Sequence, residues 1–304
     1  MKNSIFVIVF LSSLIYALDG NIVKLLGVSD GIIAAGLRAL GACACLLFVR
    51  SGTALPKMNA LFWGAVLCSS LGSIFFVLSI VRIPVGLALV LFHGAILWIV
   101  LYKWMLMRPI TTLDTLTGIF VFIGISILCI QKIALDAPLG WIFGILSGAS
   151  FGGFLFLGEE HIKVNKDGKV FKDAFMVGQV VLVIVAWLRM ETFSRGIEPS
   201  SFQVLGYLFL GAFYGVGYIL LSKAMAIASG GEDGTDEAKP KNSKGGSQLV
   251  SLYIGALEPP LGLLFGSWLL GERITQQSIC GFVIILTSIS VRGYVLYKRE
   301  GRQS

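Results

Sequence analysis

Two ionisable residues, His93 and Glu258, lie inside the apolar runs LALVLFHGAILWIV and LYIGALEPPLGLLF. A charge at the centre of a lipid-embedded helix costs roughly 2.5–3.5 kcal/mol on insertion scales, so side chains kept there are candidates for function. An imidazole changes charge nearest neutrality, and a desolvated carboxyl shifts toward it. Together they could bind a substrate amine or carry a coupling proton. The alternative is structural: His93 as a satisfied core histidine, and Glu258 capping a backbone defect at Pro259-Pro260. Asp19, Asn21 and Lys24 share the first apolar run, and Arg38 lies in the second. Arg38 could pair with Asp19 or meet a substrate carboxylate, whereas Lys24 could simply reach to the interface. Tyr16, Trp98, Tyr214 and Tyr218 are candidates to line a cavity, although membrane aromatics commonly pack or anchor instead. Tyr214 and Tyr218, four apart, share a helical face. Glu159, Glu160 and His161 read as a solvated helix end without the ligands of a metal site. The cysteines Cys43, Cys45, Cys68, Cys129 and Cys280 have neither zinc-ligand nor redox spacing and read as small buried thiols. No cofactor or metal is expected.

The elements that must position these groups follow from composition. The chain is 56% hydrophobic and 13% charged, with mean hydropathy +0.86, whereas soluble domains carry about a quarter charged residues. A bilayer core of about 30 Å needs roughly 20 helical residues to cross it. Runs such as 60–81 and 202–221 reach that length without the alternation of a barrel strand. The expected fold is all-α and integral to the membrane, with ten transmembrane helices at 4–27, 31–49, 58–81, 84–106, 112–131, 137–160, 173–190, 202–228, 248–270 and 276–297. The N-terminal run 5–18 imitates a secretory signal but lacks a good cleavage site, and is read as an uncleaved first helix. The segment 230–247 is polar and Gly/Lys-rich, expected as a disordered cytoplasmic loop. With the N-terminus inside, fifteen loop Lys and Arg fall on the cytoplasmic side and six on the other. That asymmetry predicts a multi-pass protein of the cell (inner) membrane with both termini cytoplasmic. The +7 net charge is thereby read as orientation, and no nucleic-acid partner is expected. Lipid bilayer, a small-molecule substrate and a coupling proton are the expected partners.

Placing Pro259 over Gly94 sets Glu258 over His93 and Arg273 over Arg108, with the same fourteen-residue spacing in each half. Each block leads into a glycine-containing apolar helix, TLTGIFVFIGISIL and SICGFVIILTSIS. Residues 1–132 and 137–298 therefore read as two five-helix repeats, and an odd helix number inverts the second against the first. The stretch EPPLGLLFGSWLLGERIT, with the N-terminal GNIVKLL and GIIAAGLRAL, resembles the EamA-like branch of the drug/metabolite transporter superfamily. In the first half, Gly94 and Leu106-Met107-Arg108 stand where that family often has Pro and Gly-Glu-Arg. The resemblance implies a non-enzymatic secondary transporter working by alternating access on a small polar metabolite. The mixed charges Asp19, Glu258, Lys24 and Arg38 favour an amino acid or related zwitterion or amine. A nucleoside-like cation such as S-adenosylmethionine, or a non-transporting membrane scaffold, are the alternative readings. Membrane-impermeant labelling of single cysteines should place residues 103–110 and 271–275 on opposite faces of the bilayer; reaction from the same face would break the inverted arrangement.

Overall fold

The computed structural model describes residues 2–27, 30–48, 57–129, 137–165, 170–193, 199–228 and 246–300, and all its regular elements there are α-helices. In chain order they are α1 (Lys2–Leu25), α2 (Gly31–Phe48), α3 (Ala60–Ile80), α4 (Val85–His93), α5 (Ala95–Met105), α6 (Thr112–Cys129), α7 (Pro138–Asn165), α8 (Val170–Phe193), α9 (Ser201–Ala228), α10 (Gly246–Leu270) and α11 (Gln276–Glu300). Seven spans among the described residues are long and apolar enough to cross a membrane, as in a multi-pass membrane protein. Gly31–Leu47 and Thr112–Ile127 are shorter apolar helices. Most of the segment expected as a loop at 230–247 lies outside the described residues, and α10 starts at Gly246.

Helix ends form where the sequence supplies caps. The Asn59 side chain accepts from Phe62 N–H at 3.0 Å to start α3. Ser200 and Gln203 close a reciprocal box at the start of α9, Gln203 N–H donating to Ser200 Oγ and Ser200 N–H to Gln203 Oε1. Gly27 and Gly271, both at φ 66, end α1 and α10 in the left-handed conformation that glycine adopts without a Cβ clash. At the corresponding end of α5 that conformation falls on Met107, φ 50.

The run 84–106 forms one membrane-length span, Val85–Met105, in which the single residue Gly94 separates α4 from α5 while its N–H keeps the helical bond to Val90 O. The proline pair of the second half produces no such interruption, since α10 is assigned as helix through Pro259 and Pro260. A Cβ on Gly148 of α7 would collide with the Leu91 carbonyl oxygen, so glycine lets α7 press its backbone against α4 near the break.

Contacts sort the described helix ends into two groups. At one, Lys24 pairs with Glu272, Arg189 with Asp30, and Gln203 Nε2 donates to Leu26 O and Gly27 O. At the other, Arg108 and Lys163 both bind Glu160, and His161 Nε2 lies 2.9 Å from Lys57 O. At the first group α1, α8 and α10 end while α2 and α9 begin; at the second α3 begins while α5 and α7 end. In space α3 packs on α7, α1 on α9, α2 on α8 and α9, α3 on α8, and α6 on α11. α10 lies against α1 and α4, while α4 and α5 also lie against α7.

A left-handed non-glycine residue costs about 1–2 kcal/mol, and Met107 is also 95% exposed, so it has little packing to lose. Met107→Gly should raise thermal stability in detergent by about 1 kcal/mol, part of the gain being returned through the freer unfolded chain. An unchanged or lower midpoint would show that Met107 is not strained.

Candidate functional site

The first pair is built at the crossing of α1, α2 and α9. A Cβ on Gly211 would strike the carbonyl oxygen of Arg38, so the absence of a side chain lets α9 approach α2 at that residue. Arg38 then reaches Asp19 twice, Nε to Oδ1 at 3.0 Å and Nη2 to Oδ2 at 2.8 Å. Its guanidinium carbon lies 3.8 Å from the centroid of the Tyr214 ring, a cation–π arrangement. Asp19 is 1% exposed and Arg38 4%, so neither charge has water to fall back on.

The second pair joins the two matched apolar runs. His93 is the last residue of α4, at the Gly94 break, and Glu258 lies in α10 just before the prolines. His93 Nε2 lies 3.1 Å from Glu258 Oε2, and both side chains are 6% exposed. The imidazole also meets the edges of Phe92 and Phe151, with centroids 5.3 and 6.5 Å away.

Both pairs line one cavity, together with Tyr16, Tyr214 and Tyr218. The rest of its wall is mainly aromatic: Phe76 from α3, Phe92 from α4, Phe151 and Phe154 from α7, and Phe171 and Phe175 from α8. Phe92 stacks on Phe151 at 4.3 Å and Phe175 on Tyr218 at 3.9 Å. Tyr218 spends its hydroxyl on Phe171 O at 2.8 Å. Cys68, Ser69 and Ser73 of α3 add the small polar groups.

Three candidate residues lie elsewhere. Asn21 is buried against α10, its Nδ2 donating to Ala17 O at 2.7 Å and Gly262 O at 3.3 Å. Two residues beyond Asp19, it is turned about 200° round the helix. Lys24 neither lines the cavity nor simply reaches outward. It binds Glu272 Oε1 at 2.7 Å and Ile83 O at 2.9 Å, while Val85 N–H donates to the same carboxylate. This cluster draws α1, α4 and α10 together on the Lys24 side of the cavity. Trp98 sits past the Gly94 break on α5, beside Tyr102 with centroids 6.3 Å apart, and is not in the cavity wall.

Other sequence expectations are revised. Glu160 and His161 are buried rather than solvated, because Arg108, Lys163 and the Lys57 carbonyl enclose them. Cys280 is exposed, on a helix packed mainly against α6 and α10, and Cys68 lines the cavity. Sequence reasoning also passed over Glu272 and Asp114. Asp114 Oδ1 accepts from Arg292 at 2.6 Å, with Lys103 3.8 Å away. Both partners are charged residues at or inside apolar runs, which was the signal available. Among the described residues no group of three His, Cys, Asp or Glu is placed to hold a metal ion.

No family model matches the chain, and no curated protein matches it. A solved structure described as "Crystal structure of protein" aligns at TM-score 0.60 over 97% of this chain and 99% of its own length, with 12% identity. At that identity the likeness concerns the fold alone.

Removing one member of a buried ion pair costs about 3–5 kcal/mol, whereas replacing both with apolar residues of similar volume is often near neutral. Asp19→Leu should therefore lower the thermal midpoint sharply, and Asp19→Leu with Arg38→Met should recover most of the loss. Equal midpoints for single and double variants would mean that the two residues are not coupled.

Proposed function

We propose that this chain is a secondary transporter of the EamA-like kind, moving a small organic solute across the cell (inner) membrane by alternating access. The observation that carries the reading is the cavity itself. Helices from residues 1–132 and 137–298 both line it, and His93 meets Glu258 in its wall from the matched positions of the two runs. A buried chamber with a largely apolar wall and a few convergent polar groups is the usual form of a small-molecule site.

The ten-span inverted repeat is supported by the pattern of packing. Exchange α1 with α7, α2 with α8, α3 with α9, the α4–α5 span with α10, and α6 with α11. The α3–α7 contact then becomes α9–α1, α2–α9 becomes α8–α3, and α1–α10 becomes α7 against α4 and α5, all of which occur. The α2–α8, α4–α10 and α6–α11 contacts map onto themselves. The helix-end clusters follow the same exchange: Lys24–Glu272 joins the ends of α1 and α10, and Arg108–Glu160 joins the ends of α5 and α7. Two related halves enclosing a common site, each with its own closing contacts, are the elements an alternating carrier requires.

In this arrangement the Lys24 cluster closes the cavity on the side away from the cytoplasm, and the Arg108 end, with its additional Lys57, Lys103 and Lys163, faces the cytoplasm. The His93–Glu258 pair supplies an exchangeable proton beside the solute. The other charged groups lining the same cavity are Asp19 and Arg38, with the phenols of Tyr16, Tyr214 and Tyr218.

Losing a buried charge-assisted hydrogen bond is worth about 1.5–3 kcal/mol, or on the order of tenfold and more in an equilibrium. Glu258→Gln and His93→Ala in reconstituted vesicles should each slow solute counterflow by about that factor and flatten its pH profile. Wild-type rates with an unaltered pH profile in both variants would remove the coupling role. A chain that exchanges no member of a broad metabolite panel would remove the carrier reading.

A further inference from the structure

We infer that the solute is an organic monocation bearing a flat unsaturated ring, seated against Glu258 within the aromatic wall. The inference rests on the carrier reading above and names its substrate class.

The charges decide the sign. The sequence alone offered a zwitterion two positive and two negative partners. In the folded chain Lys24 is engaged by Glu272 outside the cavity wall. Arg38 is held by both carboxylate oxygens of Asp19 and stacked over Tyr214. A substrate carboxylate would have to displace Asp19, leaving that carboxylate buried and unpaired, which is among the costliest changes a protein interior can undergo. The Asp19–Arg38 pair is thus closed and contributes no free charge.

Glu258 is different, because its partner is an imidazole that can give up its charge. With His93 neutral, Glu258 becomes the cavity-lining carboxylate without a permanent cation beside it. A ligand ammonium placed there restores the pairing. Proton and ligand thereby become alternatives at the same carboxylate, with the net charge of the chamber conserved.

The wall decides the body. The His93–Glu258 pair lies beside Phe92 and Phe151, which stack on each other, and Phe175 and Tyr218 form a second stacked pair lining the same cavity. Ring faces attract cations through their quadrupole and stack on flat ligands, so one wall serves both ends of such a molecule. A strongly hydrated solute would find few hydroxyls or amides here. Tyr218 is committed to Phe171 O, leaving Ser69, Ser73, Tyr16 and Tyr214 as the neutral polar groups.

A charge series on one ring tests this. Full-length protein in lipid nanodiscs would be titrated calorimetrically with phenylethylamine, phenylalanine, phenylpropanoate and, as the saturated control, cyclohexylethylamine. The amine should bind at least about tenfold more tightly than the anion, with phenylalanine between them and the saturated amine weaker than the aromatic one. In Glu258→Gln the preference for cation over anion should collapse. In Phe175→Leu, which keeps the site apolar, the aromatic amine should lose its advantage over the saturated one. An anion that binds as well as the amine, equal binding of the two amines, or an undiminished cation preference in Glu258→Gln would overturn the assignment. Vesicle counterflow separates the two levels of the argument. Amine that binds without being exchanged defeats the carrier reading but not the ligand class. Exchange of another solute that none of the four compounds inhibits defeats the ligand class but not the carrier.

Discussion

Lipid offers a buried charge no partner, and this constraint organises the molecule. Asp19 is met by Arg38, Glu258 by His93 and Asp114 by Arg292. The last two pairs join residues 165 and 178 positions apart, and Lys24 crosses 248 positions to reach Glu272. Few neutral arrangements of these helices would satisfy all these pairs at once, so polar pairing selects among packings that apolar contact alone would leave nearly equivalent. Small residues make the pairing geometrically possible, because α9 and α7 approach their neighbours where Gly211 and Gly148 have no side chain.

The pairs do different work because their partners differ chemically. Arg38 holds its charge at any accessible pH and grips Asp19 in a fork, so that unit is rigid and neutral. Glu258 instead meets one imidazole nitrogen through one oxygen, so the second unit is held by a single contact. One chamber thus combines a doubly held pair with a singly held one. Gly94 ends α4 at His93, so the imidazole sits at a helix terminus beside Glu258.

Much of the helical layout was legible in the sequence. Apolar runs bounded by loop charges located the helices to within a few residues, and the equal spacing from Gly94 to Arg108 and from Pro259 to Arg273 pointed to the positions His93 and Glu258 that lie together. What escaped has physical causes. The interruption at Gly94 is a single residue inside an otherwise uniform run, whereas the conspicuous proline pair leaves α10 helical. Asn21 and Lys24 share an apolar run with Asp19 but not its face or depth, and helical rotation outweighs proximity in sequence. The Phe-rich wall could not be separated from ordinary packing, since 21 phenylalanines are spread through the chain and composition does not say which face one another. Glu272 reads as a loop residue until the fold supplies Lys24.

The Asp114–Arg292 contact bears on how such a chain is made. Asp114 begins α6, and the arginine that completes it lies far along α11, 178 residues later in the chain. Until α11 is made, Lys103, eleven residues earlier in the chain, is the cation within reach of Asp114. Emergence of α11, rather than of α6 itself, is then the event that locks these two helices together.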